Sequence, residues 1–82
     1  MDFDATAEAM RTKRPQITND QLKEVYGFFK QGTVGDNTSS APYAINVKAK
    51  AKWQAWEDKK GMSQDDAKQA YIDYCTPLLE GM

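Results

Sequence analysis

Histidine is absent from this chain of 82 residues, and cysteine occurs once. The first absence removes the commonest metal ligand and general base, and the second rules out an internal disulfide. Zinc centres and Ser-His or Cys-His nucleophilic catalysis are thereby excluded. Long apolar runs are missing too, since nothing approaches the roughly 18 consecutive apolar residues of a membrane span. The opening Met1-Asp2-Phe3-Asp4 lacks the basic start and apolar stretch of a secretory leader. The sequence therefore predicts a cytoplasmic chain without stable membrane insertion. Neither charge sign dominates: 11 Lys and Arg against 12 Asp and Glu give a formal net charge of −1. That balance argues against nucleic acid as a partner, because the cations form a local cluster instead of a stripe. A catalytic carboxylate pair is also wanting, as Asp65 and Asp66 read as helix-start residues and Asp73 has no partner by spacing. Gly32-x-x-Gly35 lacks the lysine and the strand-to-helix setting of a phosphate loop.

What is present is 40% hydrophobic and 28% charged residues, the composition of a globular domain. Residues 1–82 read as one domain, predicted monomeric, and one this small buries only about 60% of its unfolded surface. Phe3, Ala7 and Met10 mark a first helix over residues 3–12 that Pro15 must stop. Thr18-x-x-Gln21 fits a capping box at the head of a second, whose stripe is Leu22, Val25, Tyr26 and Phe29 and whose stop is Gly32. Residues 33–46 read as a long loop, with Tyr43, Ile45 and Val47 expected to pin it to the core. A third helix is predicted over residues 48–60, with Ala49, Trp53 and Trp56 facing inward and Gly61 available as its left-handed cap. Ser63-x-x-Asp66 opens a fourth, carrying Ala67, Ala70, Tyr71, Tyr74, Cys75 and Leu78 on one stripe. Pro77 predicts a kink or an end near residues 74–76. Four amphipathic helices and no strand-period segment predict an all-α four-helix bundle with a long loop between helices 2 and 3.

The segment Lys48-Ala-Lys-Ala-Lys-Trp-Gln-Ala-Trp56 is the most informative. On a helix its three lysines fan over about 200° at about 100° per residue and flank the tryptophans, which marks a confined anion site. Tyr26 and Lys30 stand at i and i+4 with Phe29 beside them, setting an aromatic platform next to an ammonium. That pairing suits a purine and a phosphate. The alternative function for such a surface is a helix-groove protein-protein interaction module that takes a partner helix.

Tyr26-Gly-Phe-Phe-Lys-Gln-Gly-Thr-Val-Gly-Asp36, then Lys50-Ala-Lys-Trp-Gln-Ala-Trp56, Lys60-Gly-Met-Ser63 and Asp66-Ala-x-x-Ala-Tyr71 closely resemble the acyl-CoA-binding protein family over nearly the whole chain. The resemblance implies an up-down-down-up bundle that binds and carries long-chain acyl-CoA without catalysis and needs no cofactor. It implies further that Tyr26 faces the adenine ring, that Lys30 and Lys52 contact the 3′-phosphate, and that Tyr71 lines the head-group site. Arg11 is implied as a phosphate contact, Lys50 as a secondary one, and Met10 and Val25 as borders of the acyl chain. Three departures stand out. Phe29 replaces the family's usual tyrosine in the head-group site, the turn over residues 13–17 carries Pro15 early, and Pro77 has no usual counterpart.

Overall fold

The protein is described from a computed structural model over residues 2–43 and 46–81. Those residues form four helices and no strand: α1 (Phe3–Lys13), α2 (Asn19–Thr33), α3 (Val47–Glu57) and α4 (Gln64–Glu80). Each begins where a short polar side chain accepts an otherwise orphaned backbone N–H. Asp2 takes that of Ala5 at 2.7 Å, Asn46 that of Ala49 at 3.3 Å and Ser63 that of Asp66 at 3.0 Å. At α2 the expected capping box is complete, with Thr18 and Gln21 each accepting the other's backbone N–H. Helix α1 stops ahead of Pro15 as Arg14 turns left-handed at φ 48°. Gly35 and Gly61, at φ 97° and 94°, turn the chain after α2 and after α3.

Three expectations need correction. The third helix ends at Glu57, because residues 58–61 wind into turns that Gly61 closes. Pro77 neither ends nor interrupts α4, which runs on to Glu80. Proline forfeits only its own N–H bond here, and the next turn closes through Gly81 N–H donating to the Pro77 carbonyl at 3.0 Å. Finally, Tyr43 and Val47 do not pin the loop, being 86% and 72% exposed, while Ile45 lies outside the described residues.

The tryptophans hold the loop instead. Both indoles are half-buried; Trp53 Nε1 donates to the Ser39 carbonyl at 3.1 Å and Trp56 Nε1 to the Gly35 carbonyl at 2.8 Å. The residue of α3 that is buried is Ala55. A Cβ placed on Gly27 would sit 2.4 Å from the Ala55 carbonyl oxygen, so α2 and α3 touch backbone to backbone.

The helices pack in the spatial order α1, α4, α2, α3. Helix α3 runs parallel to α2, since Tyr26 meets Lys52 and Lys30 meets Trp56. Helix α4 runs antiparallel to α2, since Phe29 meets Tyr71 and Phe28 meets Tyr74 further along α4. At its start α1 packs Phe3 against Phe29, near the end of α2. The directions are therefore up, down, down, up. Among the described residues α1 and α2 make no close backbone approach, and neither do α3 and α4. Both gaps remain as open hollows.

Candidate functional site

One hollow lies along the α2–α3 seam and encloses about 510 Å³ between Leu22, Lys23, Tyr26, Val47, Lys48 and Lys52. Helical periodicity builds it: Leu22 and Tyr26 are one turn apart on α2, and Lys48 and Lys52 one turn apart on α3. The Lys52 ammonium lies over the Tyr26 ring, 5.8 Å from its centroid. One turn further along both helices, the Lys30 ammonium lies over Trp56 at 4.6 Å. The parallel helices thus interleave two aromatic rings with two ammonium groups. None of Lys30, Lys48 and Lys52 has a carboxylate partner among the described residues.

The charge pattern of α3 is unusual for a helix. Helices α1, α2 and α4 carry an acid in the first turn, as the N-terminal dipole favours, whereas α3 has none and bears Lys48 and Lys50 there. Cations at that end oppose the dipole at about 0.3 to 1 kcal/mol each. Their placement serves something other than the helix.

A second hollow, about 680 Å³, fills the gap between α1 and α2 over α4. Met10, Ile17, Leu22, Val25 and Phe29 give it an apolar lining, and Arg11 stands on its rim. At one end Phe3 stacks on Phe29 with ring centroids 5.8 Å apart, and Tyr71 meets Phe3 edge-on at 5.0 Å. Leu22, 51% exposed, belongs to both hollows and joins them. A molecule with an anionic aromatic head and an apolar tail fits this sequence of surfaces.

The residues singled out from sequence therefore fall into two groups and one outlier. Tyr26, Lys30 and Lys52 share the α2–α3 seam. Phe29, Tyr71, Arg11, Met10 and Val25 surround the trough between α1 and α2, and Arg11 there pairs with Glu8 on the exposed face of α1. Lys50 is not brought to Tyr26; it lines a separate hollow of about 530 Å³ with Glu24, Asp58 and Tyr74. Lys48 occupies the place on the seam that sequence reasoning left empty. Its i, i+4 relation to Lys52 was the available signal, against the i, i+2 spacing of Lys50. Leu22 was expected only as one member of a stripe, and what marks it out is a property of two helix faces that no one-dimensional pattern carries.

Nothing nucleophilic is primed among these groups. Burial pushes the Cys75 thiol up to about 11 and raises the Tyr71 hydroxyl well above the ordinary tyrosine range. A thiol in that state stays protonated and unreactive.

The family model described as Acyl CoA binding protein matches residues 1–75. An acyl-CoA-binding protein homolog of Caenorhabditis elegans is 47% identical over 79 residues, covering 96% of this chain and 92% of that one. Among solved structures, the crystal structure of an acyl-CoA-binding protein of Oryza sativa superposes with a TM-score of 0.87 at 36% identity over 96% of this chain and 88% of its own. That of Moniliophthora perniciosa superposes with a TM-score of 0.89 at 32% identity over 96% and 78%.

Proposed function

The chain belongs to the acyl-CoA-binding protein family, and on that premise we propose that it binds long-chain fatty acyl-CoA and carries it without chemical change. The observation that supports this most is Leu22 as the common wall of a cationic, aromatic hollow and an apolar trough. An acyl-CoA has the same two-part character, a phosphorylated nucleotide joined to a hydrocarbon tail.

In this reading the adenine stacks on Tyr26 and displaces the Lys52 ammonium from the ring. Stacking on a base contributes about 1 to 3 kcal/mol. Lys52 and Lys30, without carboxylate partners among the described residues, turn to the 3′-phosphate, and Lys48 supplies a further cation to the phosphate chain. Each charge-assisted hydrogen bond adds about 1.5 to 3 kcal/mol. The tail passes Leu22 and enters the trough beside Met10 and Val25, gaining about 0.8 kcal/mol per methylene removed from water. Tyr71 and Phe29 bound the trough near the start of α1, and Arg11 sits on its rim within reach of anionic groups that leave it.

Calorimetric titration with acyl-CoAs of graded length tests the proposal. Affinity rises with chain length and falls for Tyr26→Ala. A titration in which octanoyl and palmitoyl esters bind equally, or in which neither binds, refutes it.

A further inference from the structure

We propose that the start of α3 and the loop before it form a docking surface for the anionic face of a lipid bilayer. Residues 37–56 contain Lys48, Lys50 and Lys52 and not one Asp or Glu, on a chain whose formal net charge is −1. The two most exposed large hydrophobic residues of the described chain, Tyr43 at 86% and Val47 at 72%, lie in that same stretch. They are held near one another, because the Asn46 N–H that precedes α3 donates to the Tyr43 carbonyl at 3.0 Å. Val47 also shares the seam hollow with half-exposed Leu22 and with Lys23. The patch therefore mixes three exposed apolar side chains with a fringe of lysines.

Folding does not explain these residues. Tyr43 and Val47 bury little against the protein, and Lys48 and Lys50 oppose the dipole of the helix they begin. Among the described residues none of Lys23, Lys48, Lys50 and Lys52 has a carboxylate partner. The positive end of the α3 dipole adds to the charge of its lysines, and the nearest carboxylates, Asp20, Glu24 and Asp58, line the separate hollow beside Lys50 without pairing with it. A bilayer rich in anionic headgroups meets that demand over a whole surface. Tyr43 has the apolar body and polar tip that suit the headgroup level, and the lysines can lay their stems on the apolar zone while their ammonium groups stay in water. Among the described residues no helix is long and apolar enough to cross a membrane, and the proposed contact is peripheral and reversible. Docked this way, the seam hollow opens beside the bilayer, where an amphiphile could pass between leaflet and trough. That last consequence rests on the acyl-CoA reading; the docking does not.

The test is co-sedimentation of the ligand-free full chain with sucrose-loaded vesicles of phosphatidylcholine alone, or with about 40% phosphatidylserine added. The chain pellets with the mixed vesicles at about 50 mM salt and is released at about 500 mM, where charge is screened within about 3 to 5 Å. Tyr43→Ser lowers the bound fraction about fivefold and Tyr43→Trp restores it, while Tyr43→Ser keeps the wild-type affinity for palmitoyl-CoA in calorimetry. Equal pelleting with pure phosphatidylcholine overturns the proposal, as does a Tyr43→Ser chain that pellets like wild type. So does failure to pellet with either vesicle, which is the result expected of a patch made for an acidic protein. Vesicle binding together with a blank palmitoyl-CoA titration would defeat the acyl-CoA reading and leave docking intact.

Discussion

Over Tyr26 the free protein already holds a cation, the Lys52 ammonium at 5.8 Å. In the proposed complex a stacked base replaces that contact, and the displaced ammonium turns to the negative charge a phosphate brings. Lys52→Ala accordingly weakens palmitoyl-CoA binding by about 1.5 to 3 kcal/mol, roughly tenfold or more. The same substitution changes little when the ligand lacks its 3′-phosphate, and calorimetry on the two ligands separates the effects. A second residue-scale expectation concerns Asp36, whose Oδ1 accepts from the Gly61 N–H at 2.9 Å and from Gln31 Nε2 at 2.8 Å. Those two donors, the backbone one foremost, hold its carboxyl below the ordinary value of 3.8. A depressed folded-state value stabilises the protein above the unfolded value, and that contribution is lost as pH falls through the folded one. Melting temperature therefore drops as pH falls below about 4, and Asp36→Asn is less stable at neutral pH with a flatter acid limb in thermal melts. Cys75, held at about 11 by burial, resists aromatic disulfide reagents at pH 8 until the chain is unfolded, which absorbance kinetics would follow.

Between elements, the contact that sets the seam is Gly27 against the Ala55 carbonyl. Gly27→Ala must part α2 from α3, costing about 1 to 3 kcal/mol as overpacking does. The same displacement separates Tyr26 from Lys52, so acyl-CoA affinity falls along with melting temperature. If the variant bound as tightly as wild type, the seam would not be the head-group site. On α4, Pro77 lies exposed within a continuous helix, and restoring its N–H with Pro77→Ala stabilises the protein by about 1 to 3 kcal/mol in urea unfolding.

The helix heads were the most legible features in sequence, because Thr18 with Gln21 and Ser63 with Asp66 act within one turn of chain. Tyr26, Lys30 and Lys52 could also be picked out, the first two by local spacing and all three by resemblance. What escaped was whatever depends on which way a helix faces. Trp53 and Trp56 read as core by periodicity, yet each indole N–H needs an acceptor, and the nearby loop carbonyls of Ser39 and Gly35 supply it. Lys48 and Lys50 look alike in sequence, and only the rotation of α3 against α2 sends one to the seam and the other behind it. Tyr43 and Val47 seemed apolar anchors because no local rule distinguishes an anchor from an exposed patch.

At the scale of the molecule, the Cα trace is a slab 36 × 26 × 16 Å, too thin to surround a broad interior. Long-chain acyl-CoA should raise its melting temperature, by an amount that grows with chain length. At a free ligand concentration a hundred times Kd the stabilisation is about 2.7 kcal/mol, readable by differential scanning calorimetry.

Among the described residues the buried hydrophobic side chains are few and mostly small: Ala55, Ala67, Cys75 and Tyr71. Helix α1 packs its length against α4 and meets α2 through the Phe3–Phe29 stack at its start, and beyond that stack the surface it turns toward α2 is left bare along the trough. In the proposed complex a hydrocarbon lying there is a removable keel, bracing a helix that otherwise touches α2 at one aromatic stack. Amide exchange in the unloaded protein should be fastest in α1 and should slow there first on loading, so the act of picking up cargo is also the act that finishes folding.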